Sequence, residues 1–257
     1  APRDAPLMTP ALEAEALVRR FGARAVVDGL SLTVGAGEVV GLLGPNGAGK
    51  TTAFRLLAGL LTPHAGRVRL LGSDVTSWPL WRRARAGLGY VPQDASIFRR
   101  LSVRDNLRAA IEAAVEYRGP SGAGEGVDAL LERFGLTARA DALGETLSGG
   151  ERRRAELARA VAAAPRVLLC DEPFAALDPR AAQTVAHDLR ALAASGVAVL
   201  VTDHDIPHTF QACDRVYIVS DGVVLVSGSP ADVAADERAR ARYLGGGVLQ
   251  GALRPVD

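Results

Sequence analysis

One glycine-rich segment has the residue types and spacing that bind phosphate. The pattern G-x-x-x-x-G-K-[ST] is filled by Gly44, Pro45, Asn46, Gly47, Ala48, Gly49, Lys50 and Thr51, with Thr52 next in the chain. Glycines let the backbone fold around a phosphate with its N–H groups pointing inward, and the helix that should follow adds positive potential at its N-terminus. Lys50 would contact the β and γ phosphates, and the Thr51 hydroxyl would bind Mg²⁺. The segment therefore predicts a site for a nucleoside triphosphate such as ATP.

The lysine of this segment is unusual among the basic residues of the chain. The chain has 30 basic residues, and Lys50 is the only lysine among them. An ammonium group is a compact point charge on a flexible stem, whereas a guanidinium group is planar and donates in a fixed fork. We interpret Lys50 as a position where arginine cannot replace lysine.

Two adjacent carboxylates follow a second apolar run. Val167–Cys170 has the pattern of a buried strand, and Asp171 and Glu172 come directly after it. Burying two carboxylates at the end of a strand costs free energy, so such a pair usually binds a metal or activates a group. We therefore expect Asp171 to bind Mg²⁺ and Glu172 to polarise the attacking water as a general base. The alternative is a pair of ordinary loop carboxylates that begin a turn before Pro173.

Two further polar side chains follow predicted core strands. His204 comes after the run Val197–Val201, and at the carboxyl end of a strand it would face the same crevice and hydrogen-bond the γ phosphate. Gln93 comes after the run Leu88–Val91, and its neutral amide would bind Mg²⁺ or water. Each residue has a structural alternative, a hydrogen-bonded structural histidine for His204 and a turn cap for Gln93.

Apolar runs predict the strands that position these side chains. Val39–Leu43, Val167–Cys170 and Val197–Val201 are apolar without alternation, which is typical of strands covered on both faces. Each run is followed by polar residues and then by a segment with helical periodicity, such as Thr51–Leu61 after the phosphate-binding segment. This repeated order predicts a wound parallel α/β sheet.

Other segments predict strands of a different kind. Leu12–Val18 and Val26–Val34 alternate between apolar and polar residues, which predicts half-buried strands. Near the other end of the chain, Asp221 and Gly222 separate the apolar segments Arg215–Val219 and Val223–Val226. That arrangement predicts a β-hairpin.

The middle of the chain has helical character. Residues from about 95 to 164 are rich in Ala, Leu, Arg and Glu at helical spacing, which predicts a helical subdomain inserted in the core. Gly119–Gly126 cannot continue a helix, and we expect a mobile connection there. We expect one domain over residues 10–244, a flexible extension over residues 1–9 and a flexible tail over residues 245–257. Met8, the only methionine, is a possible alternative start.

Composition excludes several classes of protein. A net charge of +1 and a pI near 8.1 give no support for nucleic acid as a partner. Cys170 and Cys213 are too few for a disulfide framework or a zinc cluster, which favours reduced thiols in a cytoplasm. The most apolar charge-free stretch, Ala191–Thr202, is shorter than the roughly 18 residues needed to cross a bilayer. We therefore expect a chain that does not span a membrane by itself.

A short motif at the start of a predicted helix points to one family. Leu147, Ser148, Gly149, Gly150 and Glu151 form LSGGE, which resembles the signature motif of ABC-type ATPases. The phosphate-binding segment before it and the segments CDEP, AALD and TDH after it follow the order of that family, so the resemblance covers nearly the whole chain. It implies an α/β P-loop NTPase of ABC type, with a RecA-like wound parallel sheet, an antiparallel β subdomain and the inserted helical subdomain. It also implies hydrolysis of ATP with Mg²⁺.

The resemblance assigns roles to single residues. It implies that Phe21, where tyrosine is commoner, stacks on adenine, and that Gln93 is the Q-loop residue. It makes Asp178 in AALD the D-loop residue and His204 the switch histidine. A plain core aromatic is the alternative interpretation of Phe21.

The resemblance also implies an arrangement of two chains. Ser148 and the N–H groups of Gly149 and Gly150 at a helix start would form an anion site. The resemblance counts Glu151 of the same motif among the nucleotide-binding residues. In the family, this site meets the phosphate loop across a head-to-tail homodimer, so each ATP would lie between Lys50 of one chain and Ser148 of the other. Hydrolysis at Glu172 would then release the two chains.

Three longer segments point to one branch of the family. Pro92–Asn106, Ser148–Ala160 and Thr202–Gly222 resemble the ATPases of lipopolysaccharide export. After Leu244 the chain runs into glycines, where that branch usually continues with an acidic residue and an aromatic residue. The nearest alternative is the ATPase of a branched-chain amino acid importer, which usually lacks the three arginines after the signature glutamate. A non-transport ABC ATPase of DNA repair or translation is a further alternative, and such proteins typically carry coiled-coil insertions, zinc cysteines or two cassettes.

The resemblance implies a membrane partner as well. In ABC transporters, the residues after Gln93 line a groove that receives a coupling helix from a transmembrane permease subunit. Phe98 would form the apolar floor of this groove and Arg99 its charged rim. The alternative is a subdomain surface with one exposed aromatic residue. We therefore expect a cytoplasmic protein bound peripherally to the inner face of the cell membrane.

Overall fold

A six-stranded sheet forms the centre of the molecule. The computed structural model describes residues 9–119 and 124–245, and its strands and helices are numbered here in chain order. The sheet contains β3 (Val39–Leu43), β6 (Leu88–Val91), β7 (Val167–Asp171), β8 (Ala198–Thr202), β9 (Arg215–Ser220) and β10 (Val223–Gly228). Its order is β10-β9-β3-β8-β7-β6. All neighbouring strands are parallel except β9 and β10, which form the expected hairpin. The predicted wound parallel sheet is confirmed.

A second sheet of four antiparallel strands lies against the central one. It contains β1 (Leu12–Phe21), β2 (Arg24–Val34), β4 (Ala65–Leu70) and β5 (Ser73–Asp74), in the order β2-β1-β4-β5. The first two strands are longer than the alternating pattern predicts, because their pairing continues to Phe21 and Arg24 beside the turn. Leu17 of this sheet, Phe54 of the first helix and Leu200 of β8 are fully buried in one core cluster. The first helix is thus packed between the two sheets.

The first helix ends earlier than its periodicity predicts. Helix α1 (Lys50–Ala58) stops at Gly59, whereas the apolar spacing predicts a helix to Leu61. Gly59 adopts the left-handed region with a φ of 79°, and its N–H donates to the carbonyl groups of Arg55 and Leu56. Glycine favours this conformation at a helix C-terminus because it has no Cβ. The helix therefore ends before the apolar pattern does.

Among the described residues between β6 and β7, in the region predicted to be helical, there are three helices. They are α3 (Val103–Arg118), α4 (Val127–Arg133) and α5 (Gly149–Val161). Short 3₁₀ turns at Thr137–Arg139 and Gly144–Thr146 connect the last two. The first of these helices begins later than residue 95 because the Ser102 side chain caps its N-terminus by accepting from the Asp105 N–H. Residues 120–123, in the segment expected to be mobile, lie outside the described residues.

The remaining helices flank the central sheet. They are α2 (Leu80–Arg85), α6 (Pro179–Ala194), α7 (Ile206–Ala212), α8 (Pro230–Ala235) and α9 (Glu237–Ala239), which continues as a π-helical turn over Arg240–Leu244. In the part of the chain that is described, no helix combines the length and the apolar character needed to cross a bilayer. Residues 1–8 and 246–257, expected to be flexible, lie outside the described residues, and the division into one domain with two flexible ends stays a prediction.

Candidate active site

The phosphate-binding segment forms a tight loop between β3 and α1. Gly44, Gly47 and Gly49 have φ values of 151°, 79° and 101°, which side chains rarely allow. A Cβ atom on Gly44 would lie 2.1 Å from the carbonyl oxygen of Val219, and one on Gly49 would lie 2.3 Å from that of Val26. Both glycines are therefore required by conformation and by space.

The same loop opens the first helix with free donors. Helix α1 begins at Lys50, and Gly49 precedes it without a side-chain cap from any described residue. The first N–H groups of a helix have no partner within the helix, so this end can bind an anion. Thr51 and Thr52 lie in the first turn, where the Thr51 side chain is exposed. The structure thus places the predicted phosphate ligands together at one helix end.

The Lys50 side chain lies inside the loop. Its Nζ donates to the carbonyl oxygens of Gly44 at 2.6 Å and Pro45 at 3.0 Å. Burial lowers the pKa of Lys50, and the nearby carboxylates of Glu172 and Asp203 partly offset that effect. The ammonium group is therefore held at the centre of the loop by weak neutral acceptors, which phosphate oxygens can replace.

The two adjacent carboxylates lie in different environments. Asp171 ends β7 and is only 4% exposed, and burial next to Glu172 raises its pKa to about 6. Glu172 adopts a left-handed conformation with a φ of 49°, and its N–H donates to the carbonyl oxygen of Thr202 at 2.7 Å. A non-glycine residue in this region is strained by about 1–3 kcal/mol and persists only where its surroundings hold it. The surrounding loops therefore hold Glu172 in a conformation that most residues avoid, close enough to Asp171 to raise its pKa.

Two of the predicted residues, Gln93 and His204, lie beside the Glu172 carboxylate. The Nε2 of Gln93 donates to Oε2 of Glu172 at 2.9 Å, and Nδ1 of His204 lies 3.6 Å from the same oxygen. The His204 side chain is 64% exposed, so the imidazole can reach a bound substrate. The predicted base, amide and histidine therefore form one cluster at the carboxyl ends of three strands.

The LSGGE motif begins α5 with a reciprocal cap. Ser148 Oγ accepts from the Glu151 N–H at 3.3 Å, and Glu151 Oε2 accepts from the Ser148 N–H at 2.9 Å. Glu151 also pairs with Arg139 at 2.8 Å, which lowers the pKa of Glu151 to about 2. A Cβ atom on Gly150 would lie 2.8 Å from the Cβ of Ala181 in α6, so glycine permits the two helices to approach. The structure thus gives Glu151 a capping role at this helix start.

The motif faces a cavity of its own. The described residues that line this cavity are Ser148, Gly149, Gly150, Glu151, Arg154, Ala176, Leu177, Asp178, Arg180, Ala181 and Thr184. Asp178 caps the N-terminus of α6, where its Oδ1 accepts from the Ala181 N–H at 3.0 Å. None of residues 44–52 lines the cavity. One chain therefore presents two separate polar sites, one around Lys50 and Glu172 and one around Ser148.

Comparison with known proteins identifies the family. The family model described as "ABC transporter" matches residues 27–175, which include the phosphate loop, the LSGGE motif and both carboxylates. The chain belongs to the ABC transporter ATP-binding family. Members of this family hydrolyse ATP, so the chain is an ABC ATPase that binds nucleotide.

Relatives of this ABC ATPase match 91% of its length. It is 45% identical to the lipopolysaccharide export system ATP-binding protein LptB of Haemophilus influenzae over 234 residues, which cover 91% of this chain and 97% of the relative. It is 44% identical to the LptB of Escherichia coli over the same shares of each chain. It is 48% identical to a probable ABC transporter ATP-binding protein of Azorhizobium caulinodans, of which 83% is covered.

Solved structures have the same fold as this ABC ATPase. An ATP-binding cassette of an ABC transporter in its ADP conformation superposes with a TM-score of 0.82 at 25% identity, over 93% of this chain and 100% of that chain. A nucleotide-free cassette of an ABC transporter superposes with a TM-score of 0.79 at 25% identity, over 92% and 99% of the two chains. The fold class predicted from the sequence is confirmed.

Phe21 and Phe98 are exposed aromatic residues of the ABC ATPase. Phe21 ends β1 and is 49% exposed, with the guanidinium carbon of Arg19 5.1 Å from the ring centre. Phe98 is 52% exposed, and the guanidinium carbon of Arg159 lies 5.2 Å from its ring centre. Arg99 next to it is exposed as well. Both rings are accessible to a partner, so Phe21 is not the plain core aromatic of its alternative interpretation. The exposure of Phe98 agrees with a docking groove and equally with its alternative, a subdomain surface with one exposed aromatic residue.

A buried asparagine holds the loop that presents Phe98. Asn106 in α3 is fully buried, and its Oδ1 accepts from the Phe98 N–H at 2.8 Å. The Nδ2 of Asn106 donates to the carbonyl oxygens of Phe98 at 3.1 Å and Ser102 at 2.9 Å. The exposed ring therefore belongs to a fixed loop.

Asp203 is a site residue that the sequence reasoning missed. It is fully buried, and its two carboxylate oxygens accept from the N–H groups of Phe174 at 2.8 Å, His204 at 2.7 Å and Asp205 at 2.9 Å. Asp203 thus ties the loop after Glu172 to the loop that carries His204. The available signal in the sequence was an acidic residue just after a predicted core strand, separated from its apolar run by Thr202 alone.

Proposed function

We propose that two copies of this ABC ATPase dimerise head to tail around two ATP molecules and drive a transmembrane permease in lipopolysaccharide export. The observation that carries the proposal is the separation of two half-sites in one chain. The phosphate loop with Glu172 offers groups for one side of a nucleotide, and the start of α5 at Ser148 offers an anion site on another face. Since a helix N-terminus binds anions, a second copy can bring its Ser148 to the γ phosphate bound by Lys50.

The residues at the end of β7 suit Mg²⁺. Asp171 is a buried carboxylate whose pKa is raised to about 6 by burial, so a bound cation would relieve the cost of its charge. Within the described residues, no group of three or more His, Cys, Asp or Glu side chains could hold a metal ion. Mg²⁺ usually takes one or two carboxylates and completes its shell with phosphate oxygens and water. Thr51, Gln93 and Asp171 would therefore hold the ion together with the nucleotide, where it would polarise phosphate oxygens.

The cluster around Glu172 supports water activation. The Glu172 carboxylate would accept a proton from the attacking water at Oε2, the oxygen that faces both Gln93 and His204. The Gln93 amide would orient Glu172 and the water, and His204 would donate to the γ phosphate. Lys50 would exchange its bonds to loop carbonyls for bonds to the β and γ phosphates and so stabilise the charge that develops there.

The loop at Phe98 supports docking of a permease. An exposed aromatic ring beside Arg99 and Arg159, on a loop fixed by Asn106, offers an apolar centre with a basic rim. A short helix of a permease that carries apolar and acidic side chains would complement it. Such docking would hold the ABC ATPase in the cytoplasm at the inner face of the membrane. The identity of 44–45% to relatives named for lipopolysaccharide export supports that substrate over other ABC cargoes.

Tagging the chain in its native membrane tests this proposal. We expect the tagged chain to co-purify with transmembrane subunits and with lipopolysaccharide bound to them. The double variant Phe98→Ser with Arg99→Ser should lose the transmembrane subunits while the isolated chain keeps its ATP turnover. The double variant Arg67→Ser with Arg238→Ser removes exposed arginines that belong to neither polar site, and it serves as the control for purification. Unchanged co-purification of the Phe98 and Arg99 variant would contradict the docking surface, and transmembrane partners with a different cargo would contradict the substrate.

A further inference from the structure

A buried ion pair lies on the helix that the LSGGE motif begins. Arg153 and Glu156 occupy adjacent turns of α5, and only 8% and 2% of their side chains are exposed. Nη1 of Arg153 lies 3.1 Å from Oε2 of Glu156. Burying two charges costs more than their attraction returns unless their other donors and acceptors are also satisfied. The further partners of the pair therefore indicate what it holds in place.

Arg153 donates to the main chain of two other segments. Its Nη1 donates to the carbonyl oxygen of Pro92 at 3.1 Å, and its Nη2 donates to those of Glu172 at 3.2 Å and Gln93 at 3.5 Å. A guanidinium group carries its donors in a rigid planar fork, so one side chain can bind both segments at a fixed separation. The fork therefore sets the main chain of Gln93 relative to that of Glu172.

The positions of these two main-chain segments determine how the side chains of Gln93 and Glu172 approach each other. The Gln93 amide and the Glu172 carboxylate form a hydrogen bond of 2.9 Å, and Glu172 is held in a strained conformation. On one side of Glu172, its N–H donates to Thr202, and on the other side its carbonyl oxygen accepts from Arg153. A strained residue keeps its conformation only when its neighbours fix it. Arg153 is one of the groups that do so here, and the Ala175 N–H donates to the same carbonyl oxygen at 3.2 Å.

Glu156 connects the pair to the loop that presents Phe98. Its Oε1 accepts from the Ser96 N–H at 2.8 Å, while its Oε2 pairs with Arg153. Ser96 precedes Phe98 by two residues in the chain. The pair thus joins the start of α5, the loop between Pro92 and Phe98, and the main chain of Glu172.

We infer that Arg153 is a positioning residue for ATP hydrolysis, which orients Glu172 and Gln93 through their carbonyl groups and is itself held by Glu156. The inference rests on the proposed role of Glu172 as general base. Arg153 touches no substrate in this account. Its loss should therefore lower the rate of the chemical step and leave the affinity for ATP unchanged.

An apolar replacement of the pair tests the inference in the full chain. The double variant Arg153→Met with Glu156→Leu fills the same space, and such replacements of buried ion pairs are often neutral or stabilising. In this chain the change also removes the side-chain bonds to the Ser96 N–H and the Pro92 carbonyl, so we expect a folded chain with a lower melting temperature. We expect its Kd for ATP to match that of the wild type. We expect its kcat to fall by about ten- to a hundred-fold, because small misplacements of a catalytic group cost up to about a hundred-fold.

Two single variants sharpen the test. Arg152→Met removes the same charge from an exposed position one residue away, and it should keep the wild-type kcat. Arg153→Lys keeps the charge but loses the fork, so its kcat should lie between those of the wild type and the apolar pair. Should the apolar pair fail to fold, Arg153→Lys decides alone, and a wild-type kcat in it overturns the inference.

Other outcomes overturn either the inference or the proposed function, and they can be told apart. A wild-type kcat in the folded apolar pair, or a loss confined to Kd for ATP, overturns the positioning role of Arg153. Wild-type turnover in Glu172→Gln overturns the general base itself. If Glu172→Gln is inactive while the apolar pair turns over normally, only the inference about Arg153 fails.

Discussion

Burial of the Asp171 carboxylate lowers the free energy of unfolding by an amount that can be measured. Its pKa is raised from 3.8 to about 6 by burial and by Glu172, so ionising it is harder in the folded chain than in the unfolded chain. Replacing it by asparagine removes the charge from a side chain of nearly the same shape. We expect Asp171→Asn to stabilise the chain without nucleotide or Mg²⁺, and to abolish ATP turnover.

The increase in the free energy of unfolding that Asp171→Asn brings depends on pH. A carboxyl group with a raised pKa binds more protons in the folded state, so the free energy of unfolding falls as pH rises from about 4 to about 6. Burial of the charge therefore costs no stability below the pKa of Asp171 in the unfolded chain, and it has its full effect above the pKa in the folded chain. At about 1.4 kcal/mol for each pH unit of difference, Asp171→Asn should gain on the order of 3 kcal/mol at pH 8 and on the order of 1.5 kcal/mol at pH 5.

Urea unfolding at both pH values, with a chelator present, measures this gain. Asp188 in α6 offers a matched control, because burial raises its pKa to about 6 as well and it lies away from the phosphate loop. Asp188→Asn should gain stability with the same dependence on pH and should keep ATP turnover. An Asp171→Asn chain that is no more stable than wild type at pH 8, or that gains equally at both pH values, would refute the reasoning.

Two further outcomes concern nucleotide binding. In single-turnover assays, Lys50→Arg should lose ATP turnover as completely as Lys50→Ala. The reason is that a planar guanidinium does not fit between the carbonyl groups that hold Nζ. Substantial turnover in the arginine variant would be evidence against this. Phe21→Ala should weaken ATP binding by about 1–3 kcal/mol, the usual loss when a base loses an aromatic partner, and Phe21→Tyr should bind like wild type. Calorimetry with tripolyphosphate, which has no base, should find no difference between the Phe21 variants.

Local patterns predict where the phosphate loop, Asp171 and Glu172 lie in the fold, whereas the roles of these residues stay predictions. Gly44 to Thr51 contains in sequence almost everything that its geometry needs, namely glycines at the positive φ positions and a helix directly after them. Likewise, the polar ends of buried strands must meet at one edge of a parallel sheet. Local rules also explain the early end of α1, since Gly59 alone decides it.

Contacts between distant segments are harder to predict. Arg152, Arg153 and Arg154 are identical in type, and their composition gives no sign that Arg153 alone is buried. Its role depends on carbonyl groups 19 and 60 residues away in the chain. Glu156 three residues later was the available signal, because it places an opposite charge on the same helix face. Tertiary packing, which no local pattern specifies, then decides that both are buried.

The central claim is that one chain supplies Lys50 and another supplies Ser148 to the same ATP. The most direct measurement is the mass in solution of Glu172→Gln with ATP and Mg²⁺, by analytical ultracentrifugation, with and without the further change Ser148→Arg. We expect Glu172→Gln to form dimers only with ATP, and Glu172→Gln with Ser148→Arg to bind ATP with the same Kd and stay monomeric. Dimers of the Ser148→Arg variant, or a Glu172→Gln chain that stays monomeric with saturating ATP, would contradict the account.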